Sequence, residues 1–401
     1  MITTTDKKGH IAAKTGNEVM AEAMRQIAPD VVAAYPITPA TEVVQIFSQF
    51  VADGLVPTEF VAVESEHSAM SACIGAAAAG ARTMTGTSSQ GLALMWEMLY
   101  IAAGLRLPIV MAEVNRALSA PINIHGDQSD TMGARDAGWI QIYSENSQEA
   151  YDNMIQAVRI AEKAKLPTMV TTDGFIISHC MEVVEMTADE EVKKFVGPYK
   201  PEHRLLDVDK PFTLGAIDLQ DYYFEHRWQL AQAMRDAKPI ILEVAKDFAK
   251  TFGRNYGLFE EYRMDEAEIA IVIIGSAAGT AKVVIDALRA KGIKAGLIKI
   301  RVFRPFPAAE LAAALAKVKA VAVMDRADSC SGTFAPVFSD IASALYTSLA
   351  GQAMPKLINY VYGLGGRDIM PEHFNEVFGR LEKIKAGGPI GETLSYINVR
   401  M

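Results

Sequence analysis

An acidic segment at the predicted junction of a strand and a helix carries the first residues that could do chemistry. Glu64 and Glu66 follow the strand-like run Glu59–Val63 and precede a predicted helix over His67–Ala79. That helix is rich in small residues, which let another backbone or a flat ligand come close. A first-turn carboxylate also gains from the helix dipole alone, so an ordinary structural role is equally open. The neighbouring His67 is expected to be a surface or packing residue.

A second chemical segment is the stiff loop Tyr35–Pro39 (YPITP), which follows the predicted strand Val31–Tyr35. Two prolines fix two φ angles, and the second proline favours an extended conformation at Thr38, whose hydroxyl is thereby presented between them. The alternative is that Pro39 ends the loop and Thr41 caps the helix that follows.

A third segment follows the predicted strand Pro108–Val114 and places Arg116 just beyond it. A guanidinium there offers a rigid pair of donors suited to a carboxylate. The alternative is a salt bridge from Arg116 to an aspartate of the downstream run Gly126–Asp130 (GDQSD). The turn Thr87–Gly91 (TSSQG) adds hydroxyls and backbone N–H groups at a helix start, which can bind polar ligand groups.

The second half of the chain offers weaker motifs. Gly275–Gly279 lacks the glycine spacing of a dinucleotide loop, and no Walker-type lysine motif occurs in the sequence. Two later segments, Asp325–Asp328 and Gly363–Asp368, are expected to shape turns or subunit contacts.

Helices and short β-branched runs must position these segments. In residues 16–173 they alternate, a pattern typical of a parallel sheet covered by helices on both faces. Ligands bind such sheets beyond the carboxyl ends of the strands, where the three segments fall. The remaining predicted strands are Ala81–Thr85 and Thr168–Thr172, and the predicted helices are Asn17–Ile27, Thr41–Asp53, His67–Ala79, Gly91–Leu105 and Ser147–Lys165.

A second, smaller α/β domain is predicted from residue 268 to the end, after a first domain over residues 1–267. Residues from about 185 form a connector wrapped on the first domain, with a predicted helix Glu225–Asp236 and strand Pro239–Val244. The predicted elements of the second domain are Ile269–Ile274, Thr280–Lys291, Gly296–Ile300, Ala308–Ala316, Ala320–Met324 and a helix after Gly332.

Composition narrows the class of protein. Half of the 401 residues are hydrophobic, and the net charge of −9 is spread without a basic stripe, which argues against a nucleic-acid partner. The three cysteines are far apart and too few for an iron–sulfur cluster, and they fit a reducing compartment. The polar segment Met1–Gly16 predicts no signal peptide or membrane anchor, so a cytoplasmic location is expected.

Taken together and in order, five motifs resemble the α subunit of pyruvate:ferredoxin oxidoreductases and their 2-oxoacid relatives. The likeness continues through Gly138–Gln141 and Gly363–Asp368 and so covers essentially the whole chain. It implies a pyrimidine-binding domain for thiamine diphosphate followed by a domain like the transketolase C-terminus. The motifs are Tyr35–Pro39, Glu64–Glu66, Thr87–Gly91, Asn115–Ala117 and Gly126–Asp130.

The resemblance implies a role for each site residue. Glu66, with Glu64 as the fallback, hydrogen-bonds the pyrimidine ring and favours the imino tautomer, so that the cofactor can deprotonate its own thiazolium carbon. Thr38 and Arg116 hold the carboxylate and oxo oxygen of the substrate. No metal ligand is expected in this chain. The residues expected to line the cofactor are Tyr35, Pro36, Ile37, Glu66, Ser89 and Gln90.

The resemblance also implies partners. The diphosphate-binding half-site, marked by a Gly-Asp-Gly segment, is not found here; Thr172–Gly174 comes nearest and lacks the first glycine. A β subunit is expected to supply it together with Mg²⁺, while γ and ferredoxin-like δ subunits and [4Fe-4S] clusters on partner chains carry electrons singly to ferredoxin. Coenzyme A takes the acyl group.

Other functions remain open at this point. An E1 β subunit of a 2-oxoacid dehydrogenase has a similar architecture but passes its acyl group to lipoamide, and a non-enzymatic subunit would have a decayed site. Pyruvate is the expected substrate; branched-chain 2-oxoacids, 2-oxoglutarate and oxalate are the alternatives. A dicarboxylate would call for a second cation near Thr38, and the loop has none.

Overall fold

The computed structural model describes residues 9–400. Residues 1–8, part of the segment for which no signal peptide is expected, and Met401 lie outside this range. No helix within the described range combines the length and apolar character needed to cross a membrane.

The first sheet has seven strands in the order β12-β6-β7-β5-β4-β2-β3, parallel except for β12. The central strand β5 is buried along its whole length, as expected for a parallel strand covered on both faces. A separate antiparallel pair joins β1 (His10–Thr15) to β8 (Met181–Met186). The seven strands are β2 (Val31–Ala34), β3 (Glu59–Ala62), β4 (Thr83–Thr87), β5 (Val110–Asn115), β6 (Ile140–Tyr143), β7 (Thr168–Asp173) and β12 (Val302–Arg304).

Nine helices of the described chain pack on this sheet or on the helices that cover it. The longest buried one, α7, lies between the sheet, α1 and α9, and its exposed surface is small. Thr15 and Glu18 form reciprocal hydrogen bonds that fix the start of α1. The nine are α1 (Gly16–Ile27), α2 (Thr41–Ala52), α3 (Glu66–Ala79), α4 (Ser89–Leu94), α5 (Trp96–Gly104), α6 (Ser129–Gly133), α7 (Ser147–Ala164), α8 (Asp189–Val196) and α9 (Tyr223–Phe252).

The second sheet has six strands in the order β15-β14-β13-β10-β11-β9, parallel except for β9, with a hydrophobic cluster on each face. Its strands are β9 (Phe259–Tyr262), β10 (Ile269–Ile274), β11 (Ala295–Ile300), β13 (Ala320–Asp325), β14 (Lys356–Val361) and β15 (Leu394–Tyr396). Its helices are α10 (Ala277–Ala290), α11 (Ala308–Leu315), α12 (Pro336–Ser348) and α13 (Pro371–Lys385), with a 3₁₀ turn at Leu364–Gly366.

The predicted strand Pro239–Val244 is wrong, because these residues lie inside α9. Their β-branched residues favoured a strand, but Ala237, Ile241, Val244 and Phe248 are buried at intervals of three or four, the spacing of one helix face. Pro239 costs the helix one backbone hydrogen bond, which the packing of α9 on α7 and α5 offsets. The predicted helix Gly91–Leu105 is likewise two helices, α4 and α5, which meet at Met95.

The two sheets exchange edge strands. Strand β12 belongs to the second half of the sequence yet pairs with β6, and β9 precedes residue 268 yet pairs with β11. Strand β12 therefore follows the predicted boundary at residues 267 and 268 but joins the sheet formed before it. Strand β9 precedes that boundary but joins the sheet formed after it. The division at that position stays a prediction.

Candidate active site

The predicted site segments converge because β3, β2, β4 and β5 are consecutive parallel neighbours in the first sheet. The loops at their carboxyl ends therefore meet at one edge, which we call the site edge. These loops carry Glu66, Thr38, Ser89 and Arg116 respectively.

Glu66 is the first residue of α3 and is only 6% exposed. Ser65 caps the helix by accepting a hydrogen bond from the Ser68 N–H at 3.2 Å, which leaves the Glu66 carboxylate outside the capping scheme. Within the described residues this carboxylate has no hydrogen-bonding partner. A buried carboxylate without a protein donor is costly unless a ligand supplies one.

Glu64 differs from Glu66 in both exposure and bonding. It is exposed and accepts a 2.5 Å hydrogen bond from the Ser68 hydroxyl, which holds the pKa of Glu64 below its ordinary value. His67 lies 2.7 Å from Glu97 through its Nε2 atom. Of the two carboxylates, the geometry leaves Glu66 available to a buried ligand.

Gly91 makes room for Glu66. A Cβ atom at position 91 would lie 2.7 Å from the Glu66 Oε1 atom and 2.3 Å from the Thr87 hydroxyl, closer than real atoms approach. The glycine of the Thr87–Gly91 turn therefore fixes where the carboxylate can sit. Sequence reasoning placed this turn near a ligand but did not connect Gly91 to Glu66.

Ser89 joins the turn to the arginine segment. Its hydroxyl lies 2.7 Å from the Ala117 carbonyl and 2.7 Å from Gln90 Oε1, and its N–H donates to Asp130 at 3.1 Å. Its φ of 49° is in the left-handed region, which is uncommon outside glycine. Ser89 and Gln90 thus lie at the site edge, held by contacts with the arginine segment.

Arg116 is buried, 8% exposed, and its guanidinium donates only to backbone carbonyls: Thr38 at 2.9 Å and Asn123 at 3.0 Å. No carboxylate in residues 9–400 forms an ion pair with it. The alternative interpretation, a salt bridge to a nearby aspartate, is therefore not what the structure has: Asp130 accepts the backbone N–H of Arg116 instead, at 2.8 Å. The guanidinium therefore remains available to a ligand.

A hydrogen bond from α1 holds the loop that carries Thr38. Asn17 donates to the Pro39 carbonyl at 2.8 Å, and α2 begins after Ala40, whose side chain makes no capping bond. Thr38 is exposed, and neither it nor Thr41 serves as the N-cap residue. Tyr35 and Pro36 are exposed beside it, while Ile37 is half-buried against the core.

A buried carboxyl pair, Glu113 and Asp130, lies beneath these loops and was missed by sequence reasoning. Glu113 is fully buried in β5, in register with Thr87 on one side and Thr171 on the other. Neither carboxyl oxygen of Glu113 has a hydrogen-bonding partner within the described residues. The available signal was an acid inside an otherwise apolar strand.

Burial sets the protonation of this pair. Loss of hydration, reinforced by the charge of Asp130, raises the pKa of Glu113 well above its usual 4.5. Burial also raises the pKa of Asp130 to about 6, against N–H donors that favour its ionised form. Asp130 accepts the backbone N–H groups of Ser89 and Arg116, and burial favours the neutral form of Glu113 beside it.

The second sheet abuts the site edge through a satisfied buried network. Asp173, at the end of β7, accepts from the Ser276 N–H at 2.8 Å, from Gln128 at 3.0 Å and from Arg326 at 3.2 Å. The segment Asp325–Asp328, expected to shape a turn or a subunit contact, and the segment Gly275–Gly279 both meet the first sheet here. Ser276 and Arg326 of these segments form hydrogen bonds with Asp173 of the same chain.

A cavity of about 390 Å³ lies elsewhere, between α7 and α9. Its cations already have partners: Lys163 contacts Glu243 at 2.7 Å, and Arg106 donates to the Ala164 carbonyl at 2.8 Å. This cavity borders the end of α7, next to the amino end of β7, and is remote from the loops described above.

Comparison with known proteins gives two family matches. Residues 22–246 match the thiamine diphosphate-binding family of pyruvate flavodoxin/ferredoxin oxidoreductases, and residues 267–374 match core domain II of pyruvate:ferredoxin oxidoreductase.

Several relatives align over nearly their full length. The chain is 55% identical to pyruvate synthase subunit PorA of Thermotoga maritima (97% of this chain, 98% of that one) and 48% to PorA of Methanocaldococcus jannaschii (92% and 94%). Ketoisovalerate oxidoreductase subunit VorA of Pyrococcus abyssi is 41% identical (96% and 97%).

Among solved structures, a 2-oxoglutarate:ferredoxin oxidoreductase from Magnetococcus marinus superposes with a TM-score of 0.69 at 21% identity. The match covers 92% of this chain and 65% of that one, so the chain spans about two-thirds of its length. An inactive β4 tetramer of a split-gene transketolase matches at a TM-score of 0.50 and 12% identity, covering 93% of this chain and 96% of that one. Both similarities concern the fold.

Proposed function

Since the chain belongs to the pyruvate:ferredoxin oxidoreductase family, we propose that it supplies the pyrimidine-binding half of a thiamine diphosphate site in a 2-oxoacid:ferredoxin oxidoreductase. At the level of the family it is one subunit of an oxidoreductase. The reaction proposed is the oxidative decarboxylation of a 2-oxoacid with coenzyme A to an acyl-CoA and carbon dioxide, two electrons passing singly to ferredoxin.

The observation that carries this proposal is the unpaired Arg116. A buried guanidinium without a carboxylate partner is unfavourable by itself and matches the planar carboxylate of a 2-oxoacid. Its bond to the Thr38 carbonyl places both proposed substrate residues side by side. Arg116 binds the carboxylate, and the Thr38 hydroxyl donates to the oxo oxygen or a carboxylate oxygen.

The residues present also fit the cofactor's pyrimidine ring. Glu66 is buried without a protein donor, and the missing side chain at Gly91 lets its carboxylate take this position, where a ring nitrogen could donate to it. Glu66 would hold the proton of a ring nitrogen. When bound, thiamine diphosphate supplies the electron sink for decarboxylation. The residues proposed to line the ring are Tyr35, Pro36, Ile37, Ser89 and Gln90.

Pyruvate is the proposed substrate. Relatives named for pyruvate reach 55% identity, while the ketoisovalerate relative is at 41%. The Tyr35–Pro39 loop holds no cation that would recognise a second carboxylate, which disfavours 2-oxoglutarate.

The proposed partners follow from what the chain lacks. A β subunit would bring the diphosphate-binding half-site and Mg²⁺, and γ and ferredoxin-like δ subunits would bring the [4Fe-4S] clusters that pass electrons to ferredoxin. The three cysteines are free thiols, consistent with a reducing cytoplasmic location.

The test is a substrate panel on the assembled complex. Pyruvate, 2-oxoisovalerate, 2-oxoglutarate and oxalate are supplied with coenzyme A, thiamine diphosphate and a viologen acceptor, and kcat/KM is measured for each. We expect the highest value for pyruvate. Transfer of the acyl group to lipoamide without viologen reduction would contradict the proposal and favour an E1-type enzyme.

Arg116→Gln supplies the matching test of the site. We expect the KM for pyruvate to rise on the order of 100-fold, because the charged partner of the carboxylate is lost. A KM equal to that of the native complex would remove the basis of the proposal.

A further inference from the structure

The loop that carries Arg116 has no regular structure between the end of β5 at Asn115 and the start of α6 at Ser129. A buried, unpaired guanidinium on such a loop would turn towards solvent or towards a nearby acid unless other contacts fixed it. Part of that restraint comes from the second half of the chain, from the turn that follows β14.

Asn123 is the link between Arg116 and this turn. Its backbone carbonyl accepts from the Arg116 Nε–H at 3.0 Å, and its side-chain amide donates to the Gly365 carbonyl at 3.1 Å. Its side-chain oxygen also accepts from the His125 N–H at 2.7 Å. One residue therefore touches the guanidinium on one side and the second sheet on the other.

The same turn makes a second bond to the loop. The Gly365 N–H donates to Asp127 at 3.0 Å, so Gly365 engages the arginine loop through both its N–H and its carbonyl. Asp127 in turn accepts from the Ser129 N–H at 3.0 Å, which ties this contact to the start of α6.

The turn approaches the arginine loop closely, which explains why two of its residues are glycine. Gly365 has a φ of 61°, and a Cβ there would lie 2.4 Å from the Asn123 side-chain nitrogen. Gly366 has a φ of 81°, and its Cβ would lie 2.4 Å from the His125 Cβ atom. Only glycine allows both the left-handed backbone and this distance.

We propose that the Gly363–Gly366 turn positions Arg116, through Asn123, for the substrate carboxylate, so that the second half of the chain sets affinity for the 2-oxoacid. The inference rests on the proposed function of Arg116. Asn123 and Gly365 are positioning residues, since neither is argued to touch the substrate. Loss of either should weaken binding of the carboxylate while the residues beside the cofactor are undisturbed.

The test uses the assembled complex with Asn123→Ala and Gly365→Ala. We expect the KM for pyruvate to rise on the order of tenfold with kcat largely unchanged, the pattern of lost uniform binding. The dissociation constant of oxamate, a carboxylate analogue that does not react, should rise by the same factor in calorimetry. The concentration of thiamine diphosphate that gives half activity should stay as in the native complex.

Gly292→Ala is the matched control. Gly292 also lies in the second half with a φ of 81°, but nothing lies within 4 Å of its Cβ position, so it carries the backbone strain without the contact. A KM rise equal to that of Gly365→Ala would show that general strain, not the contact, is responsible, and would overturn the inference.

Parallel measurement of Arg116→Gln separates the two proposals. If Arg116→Gln raises the KM and the oxamate constant but Asn123→Ala and Gly365→Ala do not, the positioning role is wrong and the proposed function stands. If Arg116→Gln changes neither constant, the proposed function itself fails. If the Gly365→Ala complex does not assemble, Asn123→Ala alone decides, since it only truncates a half-buried side chain.

Discussion

Two buried arginines, each just past the end of a central strand, differ in what they contact. Arg326 follows β13 in the second sheet, is 3% exposed and forms an ion pair with Asp173. Arg116 follows β5 in the first sheet, is 8% exposed and bonds only backbone carbonyls. The same residue type at equivalent places thus serves stability in one sheet and is left available for a ligand in the other.

The acids of the two edges show the same contrast. Asp325, at the end of β13, accepts from the Val337 N–H at 2.7 Å and from Asn359 at 2.9 Å. Glu66 has no such donor within the described chain. The acid at the edge of the second sheet is thus satisfied within the protein, whereas Glu66 is left without a protein donor.

The largest expected effect is on activity, at Glu66. Glu66→Gln keeps the shape of the side chain but cannot hold the ring proton in the same way, so kcat of the assembled complex should fall on the order of 10³-fold. Glu64→Gln is the matched control and should stay close to the native rate, because Glu64 is exposed and bonded to Ser68. Full turnover in Glu66→Gln would leave this chain as a non-enzymatic subunit.

The next effect tests the two arginines through stability. Arg326→Met leaves Asp173 buried with one donor fewer, and the free energy of unfolding should drop by about 3 kcal/mol. Arg116→Met breaks no ion pair, so the free energy of unfolding should stay the same or rise. Urea unfolding of the full-length chain measures both. A large loss in Arg116→Met and none in Arg326→Met would reverse the comparison.

The smallest effect, taken per pH unit, concerns the carboxyl pair. The pKa of Glu113 is raised in the folded state, so the native protein keeps a proton that the unfolded chain releases above pH 4.5. Stability therefore falls as the pH rises from about 4.5 towards the raised pKa, by up to about 1.4 kcal/mol per pH unit.

Glu113→Gln mimics the protonated acid and should flatten this fall in the free energy of unfolding between pH 5 and pH 8. The control is Glu64→Gln, whose side chain is exposed and should leave the slope unchanged. An identical pH slope in the native protein and Glu113→Gln would show that Glu113 is not protonated in the native state.

Local patterns predicted much of the fold. The buried strand runs and the alternation of helices gave the two parallel sheets, and the expected fold class and the family resemblance are both confirmed. Prediction failed at Pro239–Val244, where a proline and β-branched residues outweighed the helical spacing of the buried positions. Only the packing against α7 and α5 decides between a strand and a helix for this segment.

For the candidate site, the order of motifs identified the loops but not their bonds. Placing Thr38, Glu66, Ser89 and Arg116 just after strands needed only strand periodicity, whereas the structure gave the strand order that makes these strands neighbours. Whether Glu64 or Glu66 is the free acid, by contrast, depends on a hydroxyl at Ser68 and a missing side chain at Gly91.

Residue type and short-range spacing were thus enough to predict the class of the protein, the two sheets and the loops that carry chemistry. Which charges are paired follows only from the folded arrangement. Three aspartates lie within 20 residues of Arg116 in the sequence and none reaches its guanidinium, whereas Arg326 pairs with Asp173, 153 positions away. Pairing depends on distances between atoms far apart in the chain, and no local pattern encodes them.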